Sequence, residues 1–177
     1  MSEPRYGVAV AAAYMFRERF DPQWRFALFD PWLPISTTRN LLCARFATMA
    51  EIHGLNYGEF MKTVPSTDGF TMRHGKNYII VYNDAPHIPY ARKRFTVAHE
   101  LGHVVLRHQR NGEAEECEAD TFARNLLAPR RLALKYGIDF RDYPSVFGIS
   151  AAAARMCERY RTLDEQYGVH PISKSGE

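Results

Sequence analysis

Several features that define other protein classes are missing from this chain of 177 residues. Its three cysteines, Cys43, Cys117 and Cys157, are widely spaced and form no C-x-x-C pair, which favours reduced thiols over a disulfide framework. No apolar run approaches the roughly 18 residues of a membrane-spanning helix. The first residues also lack the charged and apolar regions of a signal peptide. We therefore expect a small cytoplasmic protein with no membrane partner.

A strong charge of either sign is also lacking, since 23 basic and 20 acidic residues leave a net charge of +3. Basic residues do cluster, and such clusters can attract nucleic acid or an acidic protein. Because the clusters flank one predicted helix, we interpret them as solvated helix ends, and we expect no direct nucleic-acid binding. They comprise Arg92-Lys93-Arg94, Arg107, Arg110, Arg130 and Arg131.

The most informative stretch that is present is His99-Glu100-Leu101-Gly102-His103. Residues four apart share one face of a helix, so both histidines can direct a ring nitrogen at one metal ion. This is the ligand spacing of zinc sites. Glu100, between them, cannot easily bind the same ion but can reach a water molecule bound to it. The motif therefore predicts a zinc-dependent hydrolase with Glu100 as general base.

The residues around the motif favour a metal over two surface histidines. Small or apolar residues recur at positions 95, 98, 101, 102, 105 and 106, which predicts a helix buried over most of its surface. Buried polar groups without partners cost several kcal/mol, and a metal would supply such a partner. Gly102 costs about 1 kcal/mol in a helix relative to alanine, so we expect another backbone to approach it closely.

A tetrahedral zinc with two histidines and a water lacks one protein ligand. The next helix, from Glu113 to Leu127, carries the candidates. Glu116 and Asp120 share a face in line with its apolar stripe, so we predict that both point inward, with Glu116 as the third ligand. Asp120 would then accept a hydrogen bond from a ligand histidine. Glu118 remains the rival ligand.

Together these motifs resemble the ImmA/IrrE family of zinc metallopeptidases. The matching residues are Arg94-Phe95-Thr96-x-Ala98-His99-Glu100-Leu101-Gly102-His103, then Glu116-x-x-Ala119-Asp120-x-Phe122-Ala123-x-x-Leu126-Leu127-x-Pro129, and Phe147-Gly148-Ile149-Ser150 near the C-terminal end. The resemblance implies a gluzincin-like site with His99, His103 and Glu116 as zinc ligands and Glu100 as catalytic base. Many relatives carry asparagine at the position of Asp120, and either side chain can orient a histidine.

The resemblance also implies a function. Relatives cut a helix-turn-helix repressor, so we expect a regulatory endopeptidase with a protein or peptide substrate. The alternative is a non-catalytic or autoinhibited zinc-containing module that binds a regulator of a phage, mobile element or toxin-antitoxin system.

Zinc peptidase sites also use a side chain to stabilise the oxyanion. The candidates for that role are Tyr82, Tyr90, His108 and Tyr136. The sequence alone does not choose among them. Apart from that role, the histidines outside the motif, His108 included, are interpreted as ordinary loop or surface residues.

The hydrophobic periodicity predicts a mostly helical α+β fold with a small hairpin or sheet beside the metal-site helix. We expect one metallopeptidase domain over residues 1–177, with a helical N-terminal part (1–65), a zinc-site core (66–136) and C-terminal helices with a tail (137–177). In the core, residues 70–73 and 78–82 are predicted to form the two strands of a hairpin. We expect strand 78–82 to form the sheet edge that binds the substrate backbone.

Outside the core, the sequence predicts further helices. Residues 24–34 are expected to be irregular. Ser36-Thr37-Thr38 is expected to cap a helix that continues through Leu41 and Phe46 to Gly54. Ser150 is the predicted N-cap of a last helix, after which the chain from Asp164 onward is expected to be polar and frayed. The other predicted helices cover residues 6–20, 57–64 and 130–136, the last closed by Gly137.

Overall fold

The computed structural model describes residues 3–25, 27–110 and 112–168. Within these ranges the chain forms a mostly helical α+β fold with a three-stranded sheet, as predicted. The elements are α1 (Tyr6–Phe20), α2 (Trp32–Thr37), β1 (Leu41–Arg45), α3 (Phe46–Ile52), α4 (Tyr57–Phe60), β2 (Gly69–His74), β3 (Asn77–Tyr82), α5 (Tyr90–Val105), α6 (Glu113–Leu127), α7 (Arg130–Tyr136), a 3₁₀ turn (Phe140–Asp142), α8 (Tyr143–Phe147), α9 (Ala151–Arg159) and α10 (Arg161–Gly168).

The main core lies where α1, α5 and α6 pack together. The apolar residues of α5 and α6 recur at helical spacing, and their inner faces are fully buried, as at Leu101, Phe122 and Leu126. α1 contributes Val10 and Ala13 to the same cluster. This packing holds α5 and α6, the two helices that carry the metal-site motifs, side by side.

The sheet has the order β1-β3-β2, with β1 parallel and β2 antiparallel to β3. The pair His74 and Asn77 closes the hairpin, so Gly75 and Lys76 form a two-residue turn. Gly75 takes the left-handed conformation, with φ +61°, that such turns require and that glycine adopts without strain. The predicted hairpin is confirmed, but β3 is the central strand, and the prediction that residues 78–82 form an edge is wrong.

Both faces of β3 are covered, which explains its unbroken apolar run. Successive side chains of a strand point to opposite faces, and the neighbours Ile80 and Val81 are both fully buried in different clusters. Ile80 joins the main core, whereas Val81 joins a smaller cluster with Phe46 and Phe60 from α3 and α4. β2 is left as the sheet edge that lies beside α5.

The predicted helix from residue 38 to Gly54 is wrong in its first part. Leu41–Arg45 is the strand β1, paired in parallel with residues 78–82, and only Phe46–Ile52 is helical. A short apolar run fits a strand or a helix equally well, so a distant partner strand decides its structure. Ser36 and Thr37 lie inside α2 rather than capping a helix. The helix predicted over 57–64 covers Tyr57–Phe60.

The C-terminal part is more ordered than predicted. Gly137 closes α7 in the left-handed conformation and Ser150 accepts a hydrogen bond from the Ala153 amide, as expected. The prediction of a frayed chain from Asp164 is wrong, because Asp164 lies in α10 and pairs with Arg124 at 2.8 Å in a buried salt bridge. Residues 169–177, the rest of the predicted tail, lie outside the described residues. None of the helices in the described ranges has the length and apolar character that crossing a membrane requires.

One basic cluster also differs from its interpretation as solvated helix ends. Arg94 is 1% exposed, and its guanidinium donates hydrogen bonds to the carbonyl groups of Phe29, Phe147 and Gly148. These last two carbonyls end α8, where a cation is favoured by the helix dipole. Arg94 therefore fastens α8 to α5.

Candidate metal centre

The helix α5 places His99 and His103 on one face, as their spacing predicts. Their Nε2 atoms lie 3.0 Å apart. Glu116 reaches them from α6, with carboxylate oxygens 3.2 Å from His99 Nε2 and 3.5 Å from His103 Nε2. In the part of the chain that the structure describes, these three residues are the one group whose ligand atoms could hold a metal ion, all within 4.8 Å of one another.

Glu116 and Asp120 do not point into the core, and the prediction of inward carboxylates is wrong. Their side chains are 47% and 48% exposed, because their face of α6 borders a cleft against α5. The fully enclosed carboxylate of this helix is Glu118, whose side chain is 4% exposed. Glu118 binds Arg5 and His108 rather than joining the three-residue group.

The outer nitrogens of both histidines have partners. Asp120 Oδ1 lies 2.8 Å from His99 Nδ1. A carboxylate only accepts hydrogen bonds, so His99 Nδ1 carries a proton. On the other histidine, His103 Nδ1 lies 2.9 Å from His108 Nδ1. The interpretation of His108 as an ordinary surface histidine is therefore wrong, since its side chain is 2% exposed and contacts a predicted ligand.

Their surroundings shift the pKa values of the two histidines in opposite directions. Burial lowers the pKa of His99, but the hydrogen bonds that His99 donates to Asp120 and Glu116 outweigh it and raise that pKa to about 10. Burial and the charge of His99 lower the pKa of His103 to about 4. Without a metal ion, protonation is therefore favoured on His99 and disfavoured on His103.

The donor set fits a divalent metal ion. Two imidazole nitrogens and one carboxylate oxygen form a three-ligand set typical of catalytic zinc, in which the fourth position stays open. Zinc ligands at about 2.0–2.1 Å in tetrahedral geometry lie about 3.3–3.4 Å from one another. The two Nε2 atoms are 3.0 Å apart, and the nearest Glu116 oxygens, Oε2 to His99 and Oε1 to His103, lie at 3.2 and 3.5 Å, all close to that value. The three residues can therefore hold a metal ion with little rearrangement.

Glu100 lies beside the group and is held by the sheet. It is 9% exposed, and Thr71 Oγ1 of β2 donates a hydrogen bond of 2.8 Å to Glu100 Oε2. Burial raises the pKa of Glu100, which makes its carboxylate a stronger base. Sequence reasoning missed Thr71, because nothing in the residues around position 71 indicates contact with a helix 29 positions later.

A cleft of about 540 Å³ opens over these residues between β2, α5 and α6. Among the four oxyanion candidates only His108 lines it, and both of its ring nitrogens already have protein partners. Tyr82, Tyr90 and Tyr136 do not line this cleft. Two other donors, Arg73 and Tyr78, do line it, and neither was among the candidates.

Gly102 behaves as predicted. A Cβ atom at this position would lie 3.1 Å from Phe122 Cδ1 and 3.3 Å from Ala119 Cα. The backbone of α6 thus approaches α5 at the turn between Glu100 and His103. This close contact sets the separation of the two helices beside the metal centre.

Comparison with known proteins gives one match. The family model of peptidase family M78, described as the IrrE N-terminal-like domain, matches residues 50–160. The match includes both helices of the site and the whole hairpin. No curated protein and no solved structure matches this chain.

Proposed function

Because the chain belongs to peptidase family M78, the IrrE N-terminal-like domain family, we propose that it is a zinc-dependent endopeptidase acting on a protein partner. The family implies a metallopeptidase. Zinc as the native metal, Glu100 as the general base, and His99, His103 and Glu116 as the ligands are the specific parts of the proposal.

One observation supports the proposal most directly. Three ligand atoms from two helices converge on one point, and a buried carboxylate, Glu100, lies beside them in an open cleft. A module that only binds a regulator has no need for this carboxylate. A hydrolase needs both the metal ligands and a base within reach of the reacting water.

The chain's own residues would divide the work as follows. Bound zinc supplies a Lewis acid that lowers the pKa of water to about 7 and polarises a carbonyl. Thr71 holds Glu100 Oε2, which leaves Oε1 to accept the proton of the attacking water and pass it to the leaving amine. Asp120 keeps the Nδ1 proton on His99 and so directs the His99 Nε2 lone pair toward the ligand site.

The substrate backbone would bind along β2 rather than β3. β2 is the sheet edge on this side, and Gly69, Phe70, Thr71 and Arg73 line the cleft. An extended peptide that adds to an edge strand is held by main-chain hydrogen bonds, which carry little sequence information. Specificity would then depend on side pockets of the cleft.

The partner that best fits this proposal is a repressor with a helix-turn-helix domain, whose cleavage would release the genes it controls. The three cysteines are unpaired, which suits a reducing compartment, and we propose the cytoplasm.

Cleavage of a candidate repressor tests the proposal. The full-length protein is incubated with helix-turn-helix repressors encoded near its gene, with Zn²⁺ or with a chelator, and products are identified by mass spectrometry. We expect chelator-sensitive cleavage that Glu100→Gln reduces by at least about 10³-fold, because the base is lost while the ligands remain. Glu113→Gln, the same change at an exposed position that begins α6, is the control and should cleave normally.

Two results would contradict the proposal. One is full activity of Glu100→Gln, which would remove Glu100 from the mechanism. The other is a stable complex with the repressor and no cleavage under any metal condition, which would favour the binding module instead.

A further inference from the structure

A line of hydrogen bonds runs from the N-terminal end of α1 to the far side of His103. His103 Nδ1 lies 2.9 Å from His108 Nδ1, and His108 Nε2 lies 3.1 Å from Glu118 Oε2. Glu118 in turn accepts three hydrogen bonds from Arg5, one from the backbone amide at 2.8 Å and two from the guanidinium at 3.1 and 2.8 Å. These four residues come from α5, the loop after it, α6 and the segment before α1.

The middle of this line is closed to solvent. The side chains of His108 and Glu118 are 2% and 4% exposed, and that of His103 is 10% exposed. Buried polar groups are held strongly by their hydrogen-bond partners, because water cannot replace a lost partner. Arg5 is different, since its side chain is 57% exposed and closes the line at the surface.

The order of donors and acceptors along the line follows from Glu118, which is paired with Arg5. Glu118, paired with the Arg5 guanidinium, is a carboxylate and only accepts. His108 must therefore donate from Nε2, and when its ring is neutral its Nδ1 is an acceptor. His103 must donate from Nδ1 to that acceptor, which leaves a lone pair on His103 Nε2. This is the nitrogen that faces His99 and Glu116.

We propose that Arg5, Glu118 and His108 are positioning residues that fix His103 in the tautomer and orientation required for metal binding. The inference rests on the proposed metal centre and extends it. His99 is oriented directly by the Asp120 carboxylate, whereas His103 is oriented by a carboxylate that acts through a second histidine. Mutation of residues that hold a metal ligand without touching the metal typically lowers metal affinity 10- to 100-fold.

This line also gives a role to a part of the chain that the family model does not cover. The match begins at residue 50, and Arg5 lies well before it. On this proposal, the segment before α1 acts on the metal centre.

Zinc affinity of full-length variants tests the proposal, measured by competition between Zn²⁺ and a chromophoric chelator. His108→Leu removes both hydrogen bonds, whereas His108→Gln can donate to Glu118 with its amide nitrogen and accept from His103 with its amide oxygen. We expect His108→Leu to lose about 10- to 100-fold in zinc affinity and His108→Gln to recover most of it. If His108 served only in packing, His108→Gln would not bind zinc more tightly than His108→Leu.

Arg5→Ala extends the test to a surface change, because the Arg5 side chain is 57% exposed. It should weaken zinc binding severalfold, since the Arg5 backbone amide still holds Glu118. Arg92→Ala is the matched control. Arg92 has a similar side-chain exposure of 59% and also makes two hydrogen bonds to a carboxylate, that of Asp68, but it lies outside the line.

Ring ¹⁵N spectra of the metal-free protein give an independent readout. We expect the wild type to carry the proton of His103 on Nδ1 and that of His108 on Nε2, and Glu118→Gln to lose this preference. Wild-type spectra with His103 protonated on Nε2 alone would overturn the proposal. So would unchanged zinc affinity in both His108→Leu and Arg5→Ala. A wild type that binds no Zn²⁺ would instead contradict the proposed metal centre. A wild type that binds Zn²⁺ no better than the variants would contradict only the positioning role.

Discussion

At the scale of single residues, the metal centre depends on the partners of its ligands as much as on the ligands. His99 and His103 both direct Nε2 toward one another and toward Glu116, because their Nδ1 atoms are held by Asp120 and His108. A histidine whose outer nitrogen is held loses less rotational freedom when it binds a metal. The centre is therefore prepared by residues that do not touch the ion.

Asp120 provides a direct test of this preparation. Asp120→Ala removes the acceptor for His99 Nδ1, so we expect zinc affinity to fall about 10- to 100-fold in a chelator competition assay. Asp120→Asn keeps an acceptor oxygen and should lose much less. Equal zinc affinity in Asp120→Ala and the wild type would show that this hydrogen bond does not matter for binding.

At the scale of helices and strands, the contact between α5 and α6 sets the position of Glu116 relative to both histidines. Gly102 allows this contact, because any Cβ atom there would press on Phe122 and on the backbone of Ala119. Side chains can rotate away from such a contact, but the Cα of Ala119 can move only with its helix. The spacing of the two helices is thus tied to one glycine.

Gly102→Ala should therefore be destabilising, although alanine is the better helix former by about 1 kcal/mol. We expect urea unfolding to show a free energy of unfolding lower by about 1–2 kcal/mol, with weaker zinc binding as the helices separate. Gly58→Ala in α4 is the control, since a Cβ there meets no atom closer than 3.4 Å. A Gly102→Ala protein more stable than the wild type would contradict this account of the contact.

The sequence predicted the long helices and the hairpin because their patterns are local. α1, α5 and α6 repeat apolar residues over 15 or 16 positions, and β2 and β3 are joined by a turn of two residues. β1 was missed because its five residues become a strand only through pairing with β3, 37 positions away. The order of the sheet is set by the same pairing, and so is the correct edge strand.

The candidate site shows the same division. The spacing of His99, Glu100 and His103 is a local signal. The phase of the next helix placed Glu116 and Asp120 on one face, but it wrongly turned that face into the core. Thr71, His108 and Arg5 have no such signal, because their partners lie in other elements. Arg5 and Glu118 are 113 positions apart. Only the packing of α1 against α6 brings them together.

At the scale of the whole molecule, the N- and C-terminal helices close the core behind the metal centre. α10 packs against α1, and Asp164 of α10 accepts hydrogen bonds from Arg124 and Asn125 of α6. Tyr14 of α1 is buried within this arrangement, and its hydroxyl accepts a hydrogen bond from the Arg131 amide at 3.3 Å. These contacts of α10 and Tyr14 thus contribute to the stability of the core.

Stability at alkaline pH should report on this packing. Burial raises the pKa of Tyr14 from 10.0 to about 12. Between these values the unfolded chain loses the tyrosine proton and the folded chain keeps it, so the free energy of unfolding falls as pH rises, by up to about 1.4 kcal/mol per pH unit. Urea unfolding of Tyr14→Phe between pH 8 and pH 11 should show a smaller fall than the wild type.

Tyr136→Phe is the control for this experiment, because Tyr136 is 56% exposed. It should keep the wild-type dependence on pH. If the free energy of unfolding of Tyr14→Phe falls with pH as steeply as that of the wild type, then Tyr14 is not buried in its protonated form.

The central claim is that His99, His103 and Glu116 form one zinc site, and zinc content after reconstitution and gel filtration tests it most directly. Elemental analysis should find about one zinc ion per chain in the wild type and in Glu113→Gln, since a three-ligand site retains its metal through purification. His99→Ala and Glu116→Ala should retain a small fraction of that amount. Wild-type protein without zinc, or Glu116→Ala with a full complement, would contradict the claim.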